Sequence, residues 1–498
     1  MSNSKVSFFA TEEISNVDLL NKKIAQLDND ALVLIAPIVL HERLAKGIEE
    51  ALTRFDICHA GLAEEGIKGW AILQQFVFNW NFFIPSAASN SFSWLSGQQV
   101  IAFRKSLWDA ERGFDETLSL RSTFSEFTFR CMRAGALVCY QAHWGKLLKE
   151  ADLHLTLPPT NRDLVLFSQR HLGAFTAKSI GFYLGLPFLR IKPYNHEILK
   201  NHPVILKKSN DLKADCPPYS AIIPTIHRYD YIGRSIDSLL KSEYPPFEII
   251  VVDQTKSEER REEVYRPYLE REQIKVFYLD SPGQCVSRNL AIQESKTDWL
   301  LFFEDDTEAW PGMMAAHWSL LSTTIADVST GVSLAPWKDE SYIPIRNRQW
   351  SIADVLATGN AFMRKETALS VNGLNLAFDR GSGADDDFGR RLFLAGKLII
   401  FNHKAIQTHH KAPQGGMRVH GAWWRYSSSI TAAFPPPTQQ YMIQTYYPSE
   451  YHNLQNLMFY LGAFKKVGVL RGLLGLLLMP IKWQKSMKGY KSILARLG

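Results

Sequence analysis

Apolar and polar positions along this chain follow two rhythms: short unbroken apolar runs, and longer stretches where apolar residues recur every three or four positions. In the second half, Ala221-Ile-Ile-Pro224 reads as a strand, and Ile232, Ile236, Leu239 and Leu240 share one helical face. Phe247 to Asp253 carries Ile-Ile-Val-Val, a run that reads as a buried strand. Trp299 to Phe303 and Leu398 to Phe401 continue the series. Strands alternating with helices predict an α/β fold with a mostly parallel, twisted sheet flanked by helices. Ligands of such sheets lie outside the carboxyl ends of strands, where Thr225, Asp253 and the acids Glu304, Asp305 and Asp306 all fall.

Much of this pattern occurs twice. The run Ala31 to Ala36 followed by Pro37 and Ile38 matches Trp299 to Asp306 at a separation of 268 positions, which also pairs Asn21 with Asn289 and Asp30 with Asp298. Farther on, Arg104-Lys105 and Gly113-Phe114 lie 260 positions before Arg364-Lys365 and Gly373-Leu374. Glu126, Phe127 and Arg130 then match Asp387, Phe388 and Arg391 with one further residue of shift. Leu461 to Phe464 repeats Leu172 to Phe175, so the repeat spans most of the chain. The expected organisation is a first module over 1–190, a linker over 191–218 that ends Cys216-Pro217-Pro218, a second module over 219–436 and a tail over 437–498. Only the second copy keeps its acids. The first has Ala36-Pro37-Ile38 in their place.

Composition narrows the picture. At 498 residues, 46% hydrophobic and 21% charged, the chain reads as folded and too long for a single ordinary core. The formal charge of +6 is local: beyond Glu450, the last acid, lie eight Lys and Arg, which leaves −2 for the rest. Five cysteines without a closely spaced pair fit a reducing compartment, with neither a disulfide framework nor a zinc site. Glu12 and Glu13 precede any long apolar stretch, so the start does not read as a secretory signal, and no apolar run reaches the roughly 18 residues that span a bilayer. The expected location is the cytoplasm, at the inner membrane face. There the acid-free tail, with Leu470, Leu473, Leu474, Leu477 and Leu478 spaced for one helical face and Lys465, Lys466 and Arg471 beside them, reads as a basic amphipathic helix on an anionic surface. A packed helical hairpin is the alternative reading of the same residues.

The motifs of the second module carry a resemblance. Pro224-Thr225-x-x-Arg228, Val251-Val-Asp253, Gly283-x-x-x-Ser287-Arg288-Asn289, Phe303-Glu-Asp-Asp306 and Gly383-Ala-Asp385-Asp-Asp387-Phe-Gly, in this order, resemble the motifs of family 2 inverting glycosyltransferases of the GT-A fold. The resemblance implies that a sugar leaves a nucleotide diphosphate as an acceptor hydroxyl attacks. Such a site must neutralise the diphosphate and deprotonate the hydroxyl. It implies a divalent metal, manganese or magnesium, held by Asp306, with His409 as a further ligand and Glu304 and Asp305 beside it. Pro224, Thr225 and Arg228 would line the nucleobase pocket, Asp253 would hold the base and Arg288 would approach the nucleotide. Asp385 would be the general base, although Ala384 stands where the family usually has glutamate and leaves Asp386 as the alternative. Lys411 and Arg418 read either as phosphate clamps or as a solvated basic loop.

The first module resembles a truncated, degenerate copy of the same fold, with Phe124 at the base position and the strands that would carry Thr225 and Asp253 missing. The expected partners are a nucleotide-sugar donor, a glycan or lipid-linked acceptor of bacterial surface polysaccharide assembly and the anionic membrane surface, and not nucleic acid. Two other readings are a nucleotidyltransferase, against which Pro224 to Arg228 lacks a Gly-rich loop, and a non-catalytic scaffold, against which stand Asp306 and Asp385.

Overall fold

The structure, a computed structural model, describes residues 6–77, 79–186, 215–343, 350–353, 355–413, 416, 432–467, 475 and 477–497. Most of the expected linker lies outside this range, as do Arg418 and the leucines at 470, 473 and 474.

The first half builds a six-stranded sheet from β1 (Val6–Ala10), β2 (Leu32–Ala36), β3 (Ile57–His59), β4 (Ser91–Phe92), β5 (Ile101–Arg104) and β6 (Val138–Tyr140), in the order β1-β2-β5-β3-β6-β4. The second builds a nine-stranded sheet from β7 (Tyr219–Thr225), β8 (Glu248–Asp253), β9 (Ile274–Tyr278), β10 (Trp299–Phe303), β11 (Thr307–Ala309), β12 (Val328–Leu334), β13 (Ser351–Ile352), β14 (Asn360–Arg364) and β15 (Ile399–His409). Its order is β11-β15-β12-β14-β10-β7-β8-β9, with β13 also on β15. The apolar runs become strands because helices cover both faces: every residue of β8 and β10 is buried.

The two sheets share a strand pattern. In the first, β1 and β2 are parallel, β2–β5 and β5–β3 antiparallel, β3–β6 parallel and β6–β4 antiparallel. In the second, β7–β10, β10–β14, β14–β12, β12–β15 and β15–β13 repeat those senses in that order. Side chains repeat as well. On α1 (Val17–Ala25), Asn21 bonds the backbone of Phe114 in both directions, at 2.9 and 3.1 Å. Asn289, whose helix is defined below, does the same to Leu374, both at 2.8 Å. On α2 (Leu120–Arg133), Arg130 pairs with Glu126 and caps the carbonyls of Glu111 and Gly113, while Arg391 pairs with Asp387 and caps those of Val371 and Gly373.

Two details differ from expectation. The backbone N–H of Lys105 meets Ala31 O as that of Lys365 meets Asp298 O, so the strands correspond at a separation of 267. One extra residue between Asn21 and β2 absorbs the difference, and Pro37, Ile38 and Val39 stand opposite the acids. The first sheet also keeps β1, the counterpart of the strand that ends at Thr225. Among the described residues it lacks counterparts of β9 and of β8, the strand that carries Asp253.

The helices of the second half include α3 (Gln284–Glu294), α4 (Ala384–Leu394), α5 (Pro437–Tyr446) and, past α6 (His452–Val467), α7 (Met479–Leu497). The sequence reading places α5 and α7 in the tail, yet both pack into the second module. Met442 and Ile493 are buried among Phe378, Ala384 and Phe388, and the Tyr446 hydroxyl donates to Asp387 at 2.6 Å. Truncation after Pro436 therefore cuts through the core. Each large side chain lost from it removes about 1.5–3 kcal/mol of burial, against a typical total stability of about 5–15 kcal/mol. The truncated chain is expected to be insoluble or to melt at least 10 °C lower, as read by thermal denaturation; an unchanged melting temperature would refute this.

Candidate active site

A cavity of about 420 Å³ opens at the carboxyl ends of β7 and β10, bounded across the gap by the start of α4. That volume falls in the range of small-molecule sites, about 300–1,000 Å³. Pro224, Thr225, Arg228, Arg288, Glu304, Asp305, Asp385 and His409, separated by up to 185 positions in the chain, all line it.

One wall is acidic. β10 ends at Phe303, and the next three residues turn their carboxylates toward β7 and β15. Arg228 Nη1 lies 2.7 Å from Asp305 and 2.9 Å from Asp306. Asp306 sits just behind the cavity surface and also accepts the Ala412 N–H at 2.8 Å. Burial alone would raise its pKa, but His409, Arg228 and that N–H together hold it below the usual carboxylate range. His409 Nε2 is 3.5 Å from Asp306 and 3.8 Å from Glu304, and its contact with Asp306 raises its own pKa. Asp305, deeply buried, is pushed up to about 6 despite Arg228.

Among the described residues, Glu304, Asp306 and His409 offer ligand atoms within 4.8 Å of one another. Two carboxylates and an imidazole suit a divalent ion of manganese type. His410, next in the chain, turns away to Glu308 at 2.6 Å. The tertiary structure thus chooses between the two histidines.

The other wall is α4. Gly383 caps it with φ +107°, a conformation that favours glycine and turns the chain so that Asp385, Asp386 and Asp387 occupy the first turn. Acids there meet the positive end of the helix dipole. Asp387 is held by Arg391 and Tyr446 and belongs to the core. Asp385 and Asp386 face the cavity. The Thr358 hydroxyl donates to Asp385, whose pKa burial pushes up to about 6, opposed by Arg288 and Thr358. Arg288 on α3 spans the gap, with Nη2 3.9 Å from Glu304.

Asp253 departs from the expected role. It is fully buried and absent from the cavity wall; its carboxylate accepts the hydroxyls of Tyr229 and Tyr265 and the N–H of Thr255, each at 2.9 Å. With these donors in place, Asp253 fixes the end of β8 instead of presenting itself to a ligand. The neighbouring Gln254 does reach the cavity, where its side chain accepts the Gly283 N–H at 2.6 Å. Gln284, Val355 and Ser382 also line it. Sequence reasoning missed these four residues and Thr358. Gln254, Gln284 and Ser382 are immediate neighbours of motif residues, whereas Val355 and Thr358 carry no local signal.

Residues 220–370 match the family model described as Glycosyl transferase family 2, which ends before Asp385 and His409. Over 91 residues the chain is 30% identical to a putative teichuronic acid biosynthesis glycosyltransferase, TuaG, of Bacillus subtilis, covering 18% of this chain and 36% of that protein. Over 92 residues it is 30% identical to the poly(ribitol-phosphate) beta-N-acetylglucosaminyltransferase TarS of Staphylococcus aureus, covering 18% of this chain and 16% of that one. The chain thus spans well under half the length of these curated relatives. Among solved structures, residues 1–349 of S. aureus TarS superpose with a TM-score of 0.37 at 14% identity, over 56% of this chain and 83% of that one. A Pyrobaculum calidifontis mannosyltransferase, PcManGT, in complex with GDP-Man and Mn2+ gives 0.35 at 16%, over 57% and 87%. By the family-model match, residues 220–370 of this chain are a glycosyltransferase domain of family 2.

Proposed function

We propose that the protein is a metal-dependent inverting glycosyltransferase of the GT-A fold that moves a sugar from a nucleotide-sugar to a glycan or lipid-linked acceptor in bacterial surface polysaccharide assembly. One observation carries this reading: Asp385 lines the same cavity as Glu304 and His409, whose ligand atoms lie within 4.8 Å of those of Asp306 just behind the surface. Glu304, Asp306 and His409 would hold the metal, which when bound neutralises the diphosphate. Arg228 and Arg288 bring further positive charge to the same oxygens. Asp385 accepts the proton of the acceptor hydroxyl as that oxygen attacks the anomeric carbon opposite the leaving group, a single displacement that inverts configuration. A carboxyl with a pKa near 6 is a stronger base than an ordinary aspartate and still ionised at neutral pH. Pro224, Thr225 and Gln254 line the end where the nucleoside would lie.

A thermal-shift series with UDP, GDP, CDP and ADP, each with and without manganese, tests the reading, since a ligand that binds only the native state raises its melting temperature. One nucleoside diphosphate is expected to stabilise the protein by several degrees, and only with manganese. No shift with any of them would sink the proposal.

The first module is proposed to be a truncated, inactive copy of the second, a reading supported by the shared strand pattern and the repeated Asn and Arg bonds. Calorimetry should therefore find one nucleoside diphosphate per chain; two would overturn this. Peripheral attachment at the cytoplasmic face of an anionic membrane is proposed through α7. Its Ile493 faces the core while Ile481, Leu494 and Leu497 stay exposed beside a row of lysines. Among the described residues no helix is long and apolar enough to cross a membrane. Flotation with phosphatidylglycerol vesicles at low and high salt tests the attachment, and an absence of binding at low salt would refute it.

A further inference from the structure

Trp80 and Phe83 belong by sequence to the first module, yet they sit in the core of the second. Both are buried, at 2% and 5% exposure, in one cluster with Ile222, Phe302, Leu356, Ala384 and Phe388. Trp80 Nε1 donates to Ala353 O at 3.1 Å. Its six-membered ring lies flush against α4 at Gly389, where an added Cβ would come within 2.3 Å of Cζ3, 2.5 Å of Cη2 and 2.9 Å of Leu356 Cβ. Phe83 sits under the guanidinium of Arg390, 4.4 Å from the ring centre, and Tyr446 takes the same guanidinium at 4.7 Å. The first module thus grips the helix of the catalytic wall at two consecutive residues.

Gly389 is one turn beyond Asp385 on the same face of α4. Leu356, which meets Trp80 at the same spot, stands two residues before Thr358, whose hydroxyl donates to Asp385. The Trp80 ring therefore backs both supports of that carboxyl, the helix that carries it and the loop that bonds it. Close-packed contacts of this kind transmit displacement instead of absorbing it, and a misplacement of about 1 Å at a reacting group costs on the order of a hundredfold in rate.

We propose that the first module serves the reaction as a brace, with Trp80 a positioning residue seated in a hole that only glycine leaves open in α4, so that Asp385 is held at its working distance. The inference rests on the reading of Asp385 as general base. It gives the module that lacks counterparts of Glu304, Asp306 and Asp385 a function without requiring it to bind a ligand.

The test uses the full-length chain and a pair of complementary substitutions. Gly389→Ala fills the hole, although alanine alone favours a helix over glycine. Trp80→Phe shortens the knob and makes room for the new methyl. Turnover is followed as nucleoside diphosphate released from the nucleotide-sugar that the wild type consumes, and binding as calorimetry of that diphosphate with manganese. Gly389→Ala is expected to lower kcat at least tenfold while diphosphate affinity stays within about threefold. The double variant is expected to return to within about threefold of Trp80→Phe alone.

Unchanged kcat in Gly389→Ala overturns the proposal, as does a double variant no better than the single one. Equal loss of kcat and diphosphate binding also overturns it, because it marks general damage. If the wild type turns over no nucleotide-sugar, or Asp385→Asn turns over normally, the functional reading fails first and takes this inference with it. Wild-type turnover with an inactive Asp385→Asn and a fully active Gly389→Ala would sink the brace alone.

Discussion

Asp385→Asn is expected to lower kcat by at least a hundredfold, about 2.7 kcal/mol of transition-state stabilisation, while leaving the affinity for nucleoside diphosphate and manganese within about threefold. Asparagine keeps the shape, and its amide oxygen still accepts the Thr358 hydroxyl, so the wall stays in place. What is lost is the ability to take a proton. The wild type should show the same group in its pH profile. Burial raises the Asp385 pKa to about 6, so the carboxyl is neutral below that pH, and kcat/KM should fall tenfold per unit as pH drops through and below 6. Above about pH 7 the base is ionised and this limb is flat. In the Asn variant the residual rate should lack the limb altogether. An acidic limb that survives unchanged in Asp385→Asn, together with an inactive Asp386→Asn, would move the base to Asp386, which faces the same cavity.

The second large effect is expected at the opposite wall. Asp306→Ala should abolish manganese-dependent binding of nucleoside diphosphate, seen in calorimetry as a loss of at least a hundredfold in affinity. Two terms add. The variant removes one of two carboxylates from the group within 4.8 Å, and it leaves Arg228 to Asp305 and His409 to Glu304, so the positive charge beside the metal site is less neutralised. The remaining pair, Glu304 and His409, is a poor site for a hard cation, which prefers several oxygen ligands. The cost to folding should be smaller. Asp306 is fully buried and accepts the Ala412 N–H, so losing it removes this charge-assisted bond, for about 1.5–3 kcal/mol. Affinity for the diphosphate that is equal with and without manganese in the wild type, and unchanged by Asp306→Ala, would show that these acids serve some other purpose.

Linear patterning determined much of this protein. Periodicity alone placed the strands that end at Thr225, Asp253 and Phe303, because runs such as Ile-Ile-Val-Val between turn residues can be buried in few other ways. Repeat spacing predicted two related sheets, and their strand senses agree. Asn21 and Asn289, or Arg130 and Arg391, make matching bonds because each satisfies backbone groups of a Gly turn brought to it by the fold, Gly113-Phe114 or Gly373-Leu374.

What the sequence left open depended on contacts between distant segments. His409 and His410 are indistinguishable as letters; the pairing of β11 with β15 turns one toward Asp306 and the other toward Glu308. Asp253 ends one apolar strand and Asp306 follows another, but the hydroxyls of Tyr229 and Tyr265 occupy the first, and their approach to Asp253 is set by side-chain packing. The same holds for Thr358 beside Asp385, for Trp80 against Gly389 and for the packing of α5 and α7 behind the site. Apolar periodicity states which residues must be buried. It does not state against what, because the hydrophobic effect is non-directional and only chain connectivity and close packing select the partner.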